Sequence, residues 1–148
     1  MDTETDRGYK MYRKIMVPVD LAHTDSLGNA LQVAADLSNH YDAPIVYVGI
    51  TTSLPGPVAH NPEAFTRKLN AFAEEQASRH GITGEARTYI SHDPARDLDT
   101  TLMKAIKENG VDLVIMASHT PGMAEHLFAS NAGYLAQHAP ISVFVIRS

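Results

Sequence analysis

Apolar and polar positions alternate along this chain in blocks that predict strands and helices in turn. The short apolar runs are typical of strands buried in a parallel sheet, and they lie at residues 15–19, 44–50, 86–90, 113–117 and 143–146. Between them, segments with apolar residues at helical spacing begin at Thr24 or Asp25, at Pro62, at Asp93-Pro94 and near residue 129. This repeat predicts a Rossmann-like α/β domain: a five-stranded parallel sheet with right-handed crossovers and helices on both faces.

A parallel sheet of this kind binds ligands at the carboxyl ends of its strands, where the strand order reverses. We assume the strand order 3-2-1-4-5, which the residues alone do not reveal. The crevice then lies between the ends of the first and fourth strands, at Val19-Asp20-Leu21 and at Ala117-Ser118-His119-Thr120. Both stretches are followed by small and polar residues, as a binding site requires.

The segment Ala129-Ser130-Asn131-Ala132 is small and polar where the helix after the fourth strand is expected to begin. A helix N-terminus offers backbone N–H groups and the positive end of a dipole, which together suit a phosphate. Ser130 and Asn131 can add side-chain hydrogen bonds, but such residues are also ordinary helix N-caps. The chain has neither GxxxxGK[ST] nor GxGxxG, so the common phosphate-loop and dinucleotide motifs are absent.

Composition narrows the class of protein. The 148 residues suit one domain, and the absence of cysteine excludes disulfides and thiolate sites. A net charge of −5, with 17 acidic and 12 basic residues and no basic stripe, argues against nucleic acid as a partner. The apolar runs are too short to span a membrane. Residues 1–10 are expected to form a disordered leader and residues 11–148 one folded domain, and the cytoplasm is the expected location.

Three separated motifs carry a family resemblance. They read Ile-Met-Val-Pro-Val-Asp at 15–20, Ser-His-Asp-Pro-Ala at 91–95 and His-Ala-Pro-Ile-Ser-Val-Phe-Val-Ile-Arg at 138–147. In order and spacing over residues 11–148, they resemble the universal stress protein family. The resemblance implies an ATP, ADP or AMP site, with any Mg²⁺ carried by the phosphates. It also implies a homodimer through the last strand. In the assumed order this apolar strand lies at an edge of the sheet, which a second copy would pair or, as the alternative, a helix of the same chain would cover.

The resemblance also implies which residues meet the nucleotide. Asp20 is placed beside the ribose or a metal, with capping of the following helix as the alternative. Ile50, with Gly49, is placed beside the adenine, with a position in the core as the alternative. The full set of implied cofactor-binding residues is Pro18, Val19, Asp20, Ile50, Ala117, Ser118, His119, Ala129, Ser130, Asn131 and Ala132.

The phosphate loop departs from the usual family pattern. Ala117, Thr120 and Ala129 replace its glycines, and each adds a side chain where backbone must approach phosphate. A subgroup of the family with Ala-Ser-His-x-Pro and a later Ser-Asn-Ala is similar to this chain and is regarded as nucleotide-binding. The replacements therefore bear on affinity and on the number of phosphates more than on the fold.

Catalytic and metal functions have little support in the residues. Ser118 and His119 are adjacent, so they leave a strand in opposite directions, and no acidic residue completes a triad. No two histidines stand four residues apart on a predicted helix. The loop over residues 51–61 is either a lid over the adenine or a proline-stiffened connection.

The function expected from these observations is adenine-nucleotide binding by a stress-response regulatory protein without rapid catalysis. The alternative is a dimeric interaction protein of the same fold that binds no nucleotide. A slow ATP hydrolase is a third reading, but it requires a lysine or arginine near the phosphates. Residues 117–133 contain neither.

Overall fold

The computed structural model describes residues 10–118 and 132–147, which contain five strands and four α-helices. The strands are β1 Ile15–Pro18, β2 Ile45–Thr51, β3 Gly84–Ile90, β4 Leu113–Ser118 and β5 Ser142–Arg147. The helices are α1 Gly28–Tyr41, α2 Pro62–His80, α3 Leu98–Glu108 and α4 Ala132–His138, and a 3₁₀ helix covers Leu21–Leu27. Of the predicted leader, residues 1–9 lie outside the described residues, while the Lys10 ammonium donates to the carbonyl of Asp42 at 3.3 Å.

All strand pairs in the sheet are parallel, and the order β3-β2-β1-β4-β5 confirms the predicted fold. β1 pairs with β2 along its whole length, up to Pro18 opposite Val48. Its pairing with β4 stops at Met16 opposite Val114. The two central strands therefore part before their carboxyl ends, which opens the crevice that the strand order predicts.

Two apolar clusters cover the two faces of the sheet, because successive residues of a strand point to opposite faces. In β1, Ile15 and Val17 join the cluster that packs under α1 and α2. Met16, between them, joins the cluster that packs under α3 and α4. Strands buried on both faces explain the continuous apolar runs of the sequence.

The ends of α2 follow the signals in the sequence. The Asn61 side chain accepts a hydrogen bond from the Ala64 amide at 2.8 Å, and Pro62 occupies the first turn. Gly81 ends the helix with φ of 63°, a left-handed conformation that glycine adopts without strain. These bounds agree with the predicted helix.

Two helix starts differ from the prediction. The first helix was expected at Thr24 or Asp25, but Asp20 caps a 3₁₀ helix there and α1 begins only at Gly28. The other was expected at Asp93-Pro94, but α3 begins at Leu98. Residues 93–97 form a turn instead, in which the Asp93 carboxylate accepts from the Arg96 amide at 3.2 Å. In both cases a capping residue begins a tight turn that precedes the α-helix.

Candidate functional site

A cleft of about 190 Å³ lies past the carboxyl ends of β1 and β2. Val19 and Asp20 line it from β1, Ile50 from β2, and Phe65 from α2. Pro94 and the loop over residues 52–59 supply the remaining wall. The lining is mainly apolar, and Asp20 is the charged residue in the part of the lining that the structure describes. We call this the β1–β2 cleft.

Phe65 forms a wall of the cleft because β2 has a glycine opposite it. A Cβ added at Gly49 would lie 2.7 Å from Cε1 of Phe65 and 2.9 Å from its Cζ. No side chain fits at that position without moving the ring, which is buried at 4% exposure. Gly49 thus allows the Phe65 ring to pack directly against the strand.

The loop over residues 52–61 is held against the protein at several points. The Thr52 hydroxyl accepts from the Leu54 amide at 2.9 Å, and the Gly56 amide donates to the carbonyl of Ala59 at 3.0 Å. From α2, the Lys68 ammonium donates to the carbonyl of Val58. The loop therefore forms a wall of the cleft in this structure.

Asp20 caps the helix that follows it, which is the alternative to a place beside the ribose or a metal. One carboxylate oxygen accepts from the Ala22 amide at 3.1 Å and so caps the 3₁₀ helix. The other lies 2.9 Å from Nδ1 of His23. The side chain is 13% exposed and also lines the cleft. Capping thus fixes the carboxylate at the cleft wall, where a ligand would meet it.

A second polar group lies at the ends of β4 and β5. Ser118 and Arg147 are opposite each other in the register of the two strands, and Nη1 of Arg147 donates to the Ser118 hydroxyl at 3.3 Å. From α1, the Asn29 amide donates to the backbone carbonyl of Arg147 at 3.0 Å. We call these three residues the arginine corner. Sequence reasoning missed Arg147, because only the strand pairing brings it to Ser118.

Of the remaining predicted site residues, five lie within the described part of the chain and four lie outside it. Pro18 ends β1, and the Val19 amide donates to the carbonyl of Val48 at 2.8 Å. Ile50 lines the cleft and also belongs to the core under α3 and α4. Ala132 is buried at 5% exposure in that same core, and Ala117 packs against the other one. His119, Ala129, Ser130 and Asn131 lie outside the described residues.

In the described ranges, residues 10–118 and 132–147, no three histidine, aspartate or glutamate side chains cluster in a way that could hold a metal ion. None of the helices in those ranges has the length and apolar character needed to cross a membrane.

Comparisons with known proteins agree with this architecture. A family model described as the universal stress protein family matches residues 11–147. Universal stress protein G of Shigella flexneri is 26% identical over 148 residues, which cover 93% of this chain and all of that protein.

Two solved structures share the fold. One is a universal stress protein in complex with cAMP, with a TM-score of 0.66, 16% identity, and coverage of 91% of this chain and 97% of that one. The other is a universal stress protein family protein from Arabidopsis thaliana with AMP bound, with a TM-score of 0.61, 16% identity and 91% of each chain covered. The fold, the strand order and the family match over residues 11–147 lead to one conclusion: the chain belongs to the universal stress protein family.

Proposed function

We propose that this protein binds an adenine nucleotide across the carboxyl ends of β1, β2 and β4, as a stress-response regulator without rapid catalysis. The observation that carries the proposal is the β1–β2 cleft itself: a pocket at the carboxyl ends of β1 and β2, next to the point between β1 and β4 where the strand order reverses, with apolar walls and one fixed carboxylate. Proteins of the same fold hold AMP or cAMP, which supports an adenine nucleotide as the ligand.

The cleft suits the neutral part of a nucleotide. Val19, Ile50 and Phe65 present apolar surface for the faces of a purine ring, while Asp20 offers oxygens to the ribose hydroxyls. An ionised carboxylate has about four lone-pair sites, so capping and ribose binding are compatible. A carboxylate repels phosphate, however, so the phosphates belong outside the cleft, toward the end of β4. Ser118, His119, Ser130 and Asn131 are the residues we assign there.

Calorimetric titration with adenosine, AMP and ATP tests the proposal. We expect dissociation constants in the micromolar range for at least one nucleotide, which corresponds to about −8 kcal/mol. ATP with Mg²⁺ is included because Mg²⁺ is usually carried to a protein by the phosphates. No heat from any of the three ligands up to millimolar concentration would contradict the proposal and favour the alternative, a dimeric interaction protein that binds no nucleotide.

We also propose a homodimer through β5. This strand lies at an edge of the sheet, and its residues are only partly buried, with Val145 at 43% exposure. Edge strands with apolar side chains are normally covered or paired, and two antiparallel copies of β5 would form a symmetric interface. Location in the cytoplasm stays a prediction from the sequence.

Light scattering of the wild type and of Val145→Pro tests the dimer. Proline lacks the N–H that an intermolecular ladder needs, so the variant should shift from the dimer toward the 16.1 kDa monomer. Circular dichroism checks that the variant remains folded. A wild type that is monomeric at micromolar concentration, or a folded variant that stays dimeric, excludes an interface through this strand.

A further inference from the structure

The arginine corner places a cation at the carboxyl edge of the sheet, close to the crevice. β5 is two strands away from β1, a spacing of about 10 Å. The Arg147 side chain extends from the end of β5 toward β4, because its Nη1 donates to the Ser118 hydroxyl. The guanidinium is therefore directed toward the crevice between β4 and β1.

Strand alternation also identifies the face of the sheet on which this cation lies. Val143 and Met116 both pack with the core under α3 and α4, so Arg147 and Ser118, at even spacing from them, share that face. Ala132, the first described residue of α4, is buried in the same core. Arg147 and Ser118 thus lie on the face of the sheet that packs against α3 and α4.

In the part of the chain that the structure describes, Arg147 lacks the carboxylate partner that Arg79 and Arg87 have. Arg79 pairs with Glu75 at 3.3 Å and Arg87 with Glu85 at 3.7 Å. Within residues 10–118 and 132–147, by contrast, Arg147 has a neutral hydroxyl as its side-chain partner and no carboxylate at ion-pair distance. A guanidinium has five N–H donors in a planar fork that matches phosphate, and the bond to Ser118 employs one of them.

We propose that Arg147 is the cation that binds the phosphate of the nucleotide and makes the site prefer phosphorylated adenosine over adenosine itself. Ser118 positions the guanidinium, and Asn29 fixes the backbone from which it extends. The inference rests on the proposed function for the location of base and ribose. It adds to that function the residue that selects for phosphate and a reason for anionic ligands to bind a protein of net negative charge.

Dissociation constants for AMP and adenosine, measured for the wild type and three variants, test this inference. Arg147→Gln should weaken the binding of AMP about tenfold and leave the affinity for adenosine unchanged, because charge-assisted bonds to phosphate are lost. The AMP affinity of Arg147→Lys should lie between those of the wild type and Arg147→Gln, since lysine keeps the charge but lacks the planar fork of donors. Arg87→Gln, an exposed arginine at the other edge of the sheet, is the matched control and should change neither ligand. Light scattering confirms that all variants have the mass of the wild type.

The outcomes separate this inference from the proposed function. If adenosine and AMP bind equally, or if Arg147→Gln weakens both alike, the inference is wrong while the nucleotide site stands. If neither ligand binds the wild type, the proposed function fails, and the NMR signal of the Arg147 Nε–H during a titration with sodium pyrophosphate decides the inference alone. A saturable shift of that signal would support an anion site at the corner, and an unchanged signal would overturn it.

Discussion

The β1–β2 cleft and the arginine corner lie at the same edge of the sheet but differ in almost every property. The cleft is walled by apolar side chains and holds a carboxylate fixed by a helix cap. The corner is exposed, and it consists of a guanidinium, a hydroxyl and an amide. The first suits an uncharged purine and its ribose, whereas the second suits an anion. A ligand that satisfies both must be neutral at one end and negative at the other, as a nucleotide is.

The largest expected effect comes from a change that closes the cleft and leaves the corner intact. In Gly49→Ala the new methyl would lie 2.7 Å from the Phe65 ring and displace it toward the cleft. Overpacking of this kind costs about 1–3 kcal/mol of folding free energy. Calorimetry should show that the variant binds adenosine and AMP at least about tenfold more weakly, because both ligands are expected to pack against the Phe65 wall of the cleft.

Gly28→Ala is the matched control for this change. A Cβ at Gly28 meets nothing within 4 Å, and the residue is the first of α1. The control should therefore melt at or slightly above the wild-type temperature and bind both ligands normally. If Gly49→Ala also bound both ligands normally, the base would lie elsewhere.

A smaller effect is expected at the carboxylate of the cleft. Asp20→Asn keeps a side-chain oxygen to accept from the Ala22 amide but removes the negative charge. We expect near-wild-type thermal stability and a several-fold loss of adenosine affinity. The loss for AMP should be smaller, since the repulsion between the carboxylate and the phosphate disappears as well.

Asp20→Ala serves as the comparison because it removes both the cap and the charge. Loss of an N-cap costs about 0.5–2 kcal/mol, so this variant should melt below Asp20→Asn while binding adenosine as weakly. If Asp20→Asn bound adenosine as well as the wild type, the role of Asp20 would be capping alone.

The two regions also differ in how far a single sequence predicts them. The alternation of apolar runs and helical segments was sufficient for the five strands, and motif resemblance supported the assumed order. Asn61, Pro62 and Gly81 predicted the ends of α2, since caps act through neighbours in the chain. The start of α3 was placed too early, because Asp93 bonds within a turn whose geometry depends on Ser91 and Asp97.

The same distinction holds within the site. Asp20 was predicted because it follows the first strand within a readable motif, and Ile50 because it lies at the exit of the second predicted strand. Phe65 reads as an ordinary apolar position of a helix, and its place at the cleft follows from contact with Gly49, sixteen positions earlier in the chain. Arg147 reaches Ser118 only through the register of β4 and β5. Contacts between distant segments are set by packing, so the residues that rely on them could not be predicted from local patterns.

A crystal structure of the protein with AMP tests the division of the site most directly. We expect the adenine against Phe65 and Ile50, a ribose hydroxyl within about 3 Å of an Asp20 oxygen, and the phosphate within about 3 Å of the Arg147 guanidinium. AMP bound away from the β1–β2 cleft, or bound there with its phosphate directed away from Arg147, would contradict this division.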